Sequence, residues 1–342
     1  MNTKYFKINL QLFADAVVNA TTSATEGNNL SAEMKTFYDK NLIREAQANL
    51  VHGQFGQKRP IPKNGGKKIE FRKFSSLPKA LTPLTEGVTP AGNKLNVTTI
   101  EATVEQYGDY IVQTDVLELT SIDNTIVEAT QLLGNQAGLT IDTIHRNILN
   151  AGSNVSYAPS IAADGTKTEV TSRANVDASC KMTAELVKRI VTKLKGKNAP
   201  KIDGYYVAII HPHVAFDLMC DDAWIDVQKY ATPENMLKGE LGKLGGCRFV
   251  ESTEAQIWKA GKNNCAVYST LFLGANAYGI TEITGGGLQT IIKQKGSSGV
   301  ADALDQRSSI GWKTMTTAEI LVNEYMVRCE SGSSFSDSAA AN

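Results

Sequence analysis

Between Ser121 and Asn150, the residues Ile122, Ile126, Ala129, Leu133, Ala137, Ile141, Ile144 and Ile148 recur at steps of three or four. That spacing returns each side chain to one face of an α-helix. It predicts one helix of about 28 residues, roughly 42 Å long at the helical rise. Ser121 and Asp123 suit its start, and Gly152 its end. A helix this long needs a body to lie on, so the stripe reads as the core of a domain rather than a partner groove.

The rest of the chain must supply that body. Its 342 residues are enough for a sizeable core and for more than one domain. From Ser31, "SAEMKTFYDKNLIREAQANLVH" reads as a helix with Ser31 as N-cap and Met34, Phe37, Leu42 and Leu50 on one side. Residues 15–30 before it are small and polar and read as a flexible arm. Residues 53–110 change to strand chemistry. Pro60, Pro62 and the turn-forming Asn64-Gly65-Gly66 precede alternating Ile69 and Phe71, and "LNVTTIEATVEQYGDYIVQT" is rich in Thr, Val and Ile. This reads as a long β-hairpin with too little apolar content for a core of its own. It must therefore lie on another surface, in its own chain or a neighbour.

Beyond the long helix, "ADGTKT" marks a turn. "DASCKMTAELVKRIVTKLKG" predicts a helix capped by Asp177, lined by Met182, Leu186, Ile190 and Leu194, and closed by Gly196. "GYYVAII" is a buried-type strand. "LKGELGKLGGCRFVEST" is a turn and a strand, and "CAVYSTLFLGANAYGI" and "GWKTMTTAEILVNEYMVRCE" are extended. The tail, residues 331–342, is small and polar and is expected to be flexible. Helices and strands mix without a regular βαβ rhythm, so the fold class is α+β.

Chemical motifs are sparse. In "AIIHPHVAFDLM", His211 and His213 flank Pro212. Proline is favoured at the first helical position, so the trio reads as a strand-to-helix corner. The rival is a metal-dependent hydrolase using both histidines. It would need a third ligand, and His52 and His145 lie in distant segments. His145 falls beside the apolar stripe and reads as a core or interface histidine. The five cysteines have no C-x-x-C pairing, so free thiols are expected and zinc is not. "TGGGLQT" matches no nucleotide-binding fingerprint, and no G-x-S-x-G elbow is present. No cofactor and no catalytic residue is expected.

Lys+Arg and Asp+Glu balance at 35 each, which argues against a free nucleic-acid binder and leaves self-association unopposed. The basic limb with Lys67, Lys68, Arg72 and Lys73 therefore fits a subunit contact better than a nucleic-acid site. No apolar run reaches the roughly 20 residues of a membrane span. The N-terminus has Lys4 and Lys7 ahead of apolar residues, but Asn9, Gln11 and Asp15 interrupt it, so no secretory signal is expected. A polar arm, a partnerless β-arm, a long helix and a neutral surface suit a protein that assembles with copies of itself.

Seven segments, in order, carry a family resemblance: "QFGQKRPIPKNGGKKIEFRKF", "LTPLTEGVTP", "VEQYGDYI", "QAGLTIDTIHRNIL", "IIHPHVAFDL", "GKLGGCRFVEST" and "IGWKTMTTAEIL". They resemble major capsid proteins of tailed bacteriophages, most closely the N4-type group. The resemblance implies a Hong Kong 97-like fold. Residues 1–50 would be an N-terminal arm, and 51–110 an extended β-loop overlapping a neighbouring subunit. Residues 111–155 and 305–330 would form a peripheral domain with the spine helix, 156–304 an axial domain, and 331–342 the tail.

The function so implied is an icosahedral head shell of hexamers and pentamers. It would enclose a double-stranded DNA genome without sequence-specific binding or any membrane. It would work with scaffolding, portal and decoration proteins and assemble in the host bacterial cytoplasm. Lys67, Lys68, Arg72 and Lys73 would face acidic neighbour surfaces, and Glu86 would anchor the loop end. A capsid-derived nanocompartment shell is the alternative on the same fold. Separately, "INLQLFA", Ile8 to Ala14, resembles a short cleavable extension of a bacterial ribosomal protein. That resemblance implies proteolytic processing between Phe13 and Ala14.

Overall fold

The computed structural model describes residues 40–46, 49–74, 77–84, 86–87, 89, 92–121, 125–162, 164–225, 241–296, 302 and 304–342. In chain order these form α1 (residues 40–46), β1 (Gln57–Lys58), β2 (Lys68–Phe74), β3 (Val97–Thr103), β4 (Glu105–Thr114), α2 (Asp115–Thr120) and α3 (Thr125–Asn150). There follow β5 (Val155–Tyr157), β6 (Ser160–Ile161), β7 (Lys167–Thr168), α4 (Ala184–Gly196), β8 (Tyr206–Ile210), α5 (Pro212–Met219), β9 (Lys243–Leu244) and β10 (Cys247–Glu251). The chain closes with β11 (Ile257–Lys259), β12 (Ala266–Leu273), β13 (Tyr278–Glu282), β14 (Gln289–Lys293), β15 (Arg307–Ile320) and β16 (Met326–Ser331).

The predicted long helix is α3. Its stripe packs on the strand β15, where Ala129, Leu133 and Ala137 meet Ile310 and Trp312. Beside the stripe, Gly134 and Gly138 let α1 come close, and Leu42 of α1 joins the same cluster. A Cβ on Gly138 would stand 2.5 Å from the carbonyl oxygen of Ala46, so only glycine admits that backbone. β15 is the axis of a five-stranded sheet. One edge pairs with β4 over residues 307–316. Its other edge pairs with β14 and then β13, which lie end to end. β1 adds a parallel strand beyond β13.

The second sheet has seven strands in the order β5-β16-β12-β8-β10-β9, with β11 beside β12. β8 and β12 are buried throughout, as central strands covered on both faces must be. On one face Ala208, Ile210, Tyr268 and Phe272 pack under α4 and α5. On the other, Ile209, Leu271 and Leu273 meet Leu149 of α3 with Tyr278 and Ile280 of the first sheet. This shared cluster joins the two halves.

The helix expected from Ser31 is present at residues 40–46 and 49, with Leu42 buried; Ser31, Met34 and Phe37 lie outside the described residues. Elsewhere the structure departs from the sequence reading. The helix expected from Asp177 begins at Ala184, because Thr183 is its N-cap and accepts the Leu186 N–H. Asp177 instead accepts the Ser179 N–H and holds a turn. The Asn64-Gly65-Gly66 turn, with φ of 67° at Asn64 and 85° at Gly66, leads into β2 rather than joining the two limbs of the hairpin.

A further departure is the tail. Residues 331–342 are docked rather than free. Ser333 Oγ donates to the His213 carbonyl, the Ala266 N–H donates to Asp337, and the Ile257 N–H donates to the Asn342 side chain. Two of these bonds use the polar side chains of Ser333 and Asn342, and the third uses the Asp337 carbonyl.

Candidate subunit interface

The HPH trio is the corner the sequence predicted. β8 ends at Ile210, and His211 takes an extended conformation (φ −77°, ψ 144°) as the N-cap of α5, with Pro212 in the first turn. His211 Nδ1 accepts the His213 N–H at 3.1 Å. His213 Nδ1 lies 2.8 Å from the Tyr268 hydroxyl, and its ring packs on Phe335 of the tail. Burial pushes the His211 imidazole down to about 4, with His213 adding to the shift. The neutral ring this favours is also the one that can accept the capping hydrogen bond. Among the described residues, no group of three or more His, Cys, Asp or Glu has the arrangement of a metal site.

A second histidine pair ties α3 to the segment after α1. Asp142 Oδ1 accepts the Val51 and His52 N–H groups, and its Oδ2 lies 2.7 Å from His52 Nδ1. The Tyr278 hydroxyl donates to the His52 carbonyl. His145, one turn further along α3, contacts Thr316 Oγ1 through Nε2 at 3.1 Å. Its place is the buried one expected beside the stripe.

The β-arm holds the predicted site residues. β2 and β3 pair antiparallel, Lys68 opposite Thr103 through Phe74 opposite Val97. Alternation sends Ile69, Phe71 and Lys73 to one face with Ala102 and Ile100. Phe71 is buried, and it docks on bare backbone: a Cβ on Gly279 of β13 would stand 2.7 Å from its ring. Arg59 lies over the same ring. The arm is thus fixed to the five-stranded sheet at its base.

The four predicted cations do not form one stripe. Lys68 and Arg72 share the outer face with Glu70 and Glu101, while Lys73 falls on the inner face beyond Phe71. Lys68 Nζ pairs with Glu101 at 3.1 Å inside the arm itself. All four cations are exposed. Glu86 is exposed in the loop between β2 and β3, beside Gly87 at φ 77°. Phe13 and Ala14 lie outside the described residues.

Charge reasoning missed the apolar content of the distal arm. Phe74, Leu77, Leu81, Leu84, Leu95 and Val97 are all exposed, Leu81 by 82%. Leu77, Leu81 and Leu84 recur at steps of four and three, but Pro78 and Pro83 exclude a helix there, so no core pattern marked these leucines. The signal available was their regular recurrence between turn residues. Exposed apolar side chains recurring along one segment are characteristic of an interface.

Comparison with known proteins gives a consistent picture. A family profile described as phage capsid protein matches residues 32–297. No curated protein sequence matches. Among solved structures, the capsid of Ralstonia phage GP4 is similar with a TM-score of 0.64 at 14% identity, over 85% of this chain and 90% of that one. The capsid of cyanophage P-SCSP1u gives 0.62 at 14% identity, over 93% and 94%. The capsid of cyanophage Pam1 gives 0.62 at 13% identity, over 97% and 99%.

Proposed function

Because the chain belongs to the phage capsid protein family, we propose that it builds its shell by laying the distal β-arm over a neighbouring subunit. It is a major capsid protein, structural rather than enzymatic, with the Hong Kong 97-like α+β fold. The observation that carries the clamp reading is the exposed apolar series on the arm, from Phe74 to Val97. Such a series has no cover among the described residues of its own subunit, and a neighbour's surface would bury it. The charges around it would set register more than affinity.

In this reading the arm proper is residues 67–104, shorter than the 51–110 expected, since β4 belongs to the five-stranded sheet. That sheet with α3 forms the peripheral domain, and the seven-stranded sheet with α4 and α5 forms the axial domain. Residues 326–330 accordingly go with the axial domain. The shell consists of hexamers and pentamers around double-stranded DNA, assembled in the host cytoplasm with scaffolding, portal and decoration partners. Membership of the N4-type group and cleavage between Phe13 and Ala14 remain part of the proposal.

The double variant Leu81→Ser, Leu84→Ser tests the clamp. Both side chains are exposed in the subunit, so its melting temperature should not move, while electron microscopy should show shell assembly lost. Normal shells from this variant would refute the clamp.

A further inference from the structure

The neutral total conceals a segregated charge. Residues 181–201 hold seven cations, Lys181, Lys188, Arg189, Lys193, Lys195, Lys197 and Lys201, against the single anion Glu185. The segment carries an excess of six in a chain whose total is zero. Its helix, α4, is fixed to the seven-stranded sheet by buried Leu186, Val187, Ile190, Val191 and Leu194. The opposite face, positions 185, 188, 189, 192, 193 and 195, points to solvent.

Local pairing accounts for part of this charge. Glu185 pairs with Lys167, Arg189 with Glu169, and Lys193 donates to Ser156. Lys193 and Lys195 in the last turn also complement the helix dipole. Lys188 in mid-helix, and Lys197 and Lys201 beyond its end, are not explained that way. Lys188, Lys195, Lys197 and Lys201 are exposed and make no ion pair with another described residue.

We propose that this face of α4 and the segment after it binds the phosphate backbone of duplex DNA without reading its sequence. Two observations favour nucleic acid over an acidic protein surface. Protein interfaces are depleted in Lys and are built on apolar or aromatic anchors. The outward positions of α4 offer Glu, Lys, Arg, Thr, Lys and Lys, with no apolar side chain. Phosphate binding needs only presented cations. α4 is about 20 Å long, and a duplex of that length carries about twelve phosphates, ample for four lysines. The inference goes beyond the clamp reading and uses a different face of the molecule.

The test is fluorescence anisotropy of a labelled random-sequence duplex titrated with the full chain at several salt concentrations. With four lysines engaged, the slope of log affinity against log salt should be about −3.6, so affinity should fall about 100-fold between roughly 50 and 200 mM salt. The variant Lys188→Gln, Lys195→Gln, Lys197→Gln should bring the slope to about −1, whereas Lys67→Gln, Lys68→Gln in the arm should leave it unchanged. Absence of salt-dependent binding, or an unchanged slope in the α4 variant, would overturn the proposal. Polyglutamate competing as well as DNA at equal charge would overturn it in favour of an acidic protein partner. Electron microscopy of the α4 variant should still show shells, which separates this test from that of the clamp.

Discussion

Acid should weaken the subunit through His145. This side chain is 3% exposed, and its Nδ1 finds no hydrogen-bond partner among the described residues. Burial pushes its imidazole down from 6.5 to about 4, with Asp142 opposing the shift and His52 adding to it. The folded chain therefore holds the neutral ring where the unfolded chain would take up a proton. Above about pH 7 both states are neutral and the site has no pH cost. As pH falls below the ordinary histidine value, the unfolded state gains protons first and stability declines. The decline saturates once the folded site also protonates, near 4.

The full difference corresponds to about 3 kcal/mol, at about 1.4 kcal/mol for each tenfold change in proton affinity. Roughly 2 kcal/mol of it should be lost by about pH 5. Urea unfolding of the unassembled chain, followed by tryptophan fluorescence, measures this directly. His145→Gln keeps a polar contact for Thr316 and removes the titration. The loss between about pH 8 and pH 5 should be smaller in the variant by roughly 2 kcal/mol. An identical acid dependence in both proteins would refute the reasoning.

Other consequences are as specific. Glu330 is fully buried, bonded by Arg173 Nε and Nη2, with Arg328 Nε 2.9 Å away and the Arg173 guanidinium stacked on Trp258. Glu330→Gln leaves two cations under-compensated and should cost about 3–5 kcal/mol in urea unfolding; a loss below about 1 kcal/mol would mean the network is solvated. Phe71→Ala removes the arm's anchor on Gly279, at about 3 kcal/mol, so amides of β2 and β3 should exchange hydrogen about 100-fold faster. Unchanged exchange would show that the arm is held elsewhere.

Legibility of the fold followed the reach of the forces involved. The α3 stripe, the HPH corner, and the strands β8, β10 and β12 were readable because apolar periodicity and proline chemistry act within a few residues. The start of α4 was misplaced because Asp177 and Thr183 are both good caps, and tertiary burial of Cys180 and Met182 decided between them. α2 was not anticipated: six residues are too few for apolar periodicity to mark a helix, and Val116, Leu117 and Leu119 stay exposed. The division of β15 and β16 between two sheets depends on non-local pairings, including β15 with β4 and β16 with β5 more than a hundred residues away, which local patterns do not encode. Of the candidate site, the paired strands of the arm were legible. The split of its cations between two faces required the register, and the apolar tip required knowing what the chain leaves uncovered.

The most direct measurement is cryo-electron microscopy of shells assembled from the full chain. The account predicts closed particles or capsomer rings in which residues 74–97 lie on a neighbouring subunit with Leu81 and Leu84 buried. An arm folded back on its own subunit, or a chain that forms no ordered assembly, would contradict it.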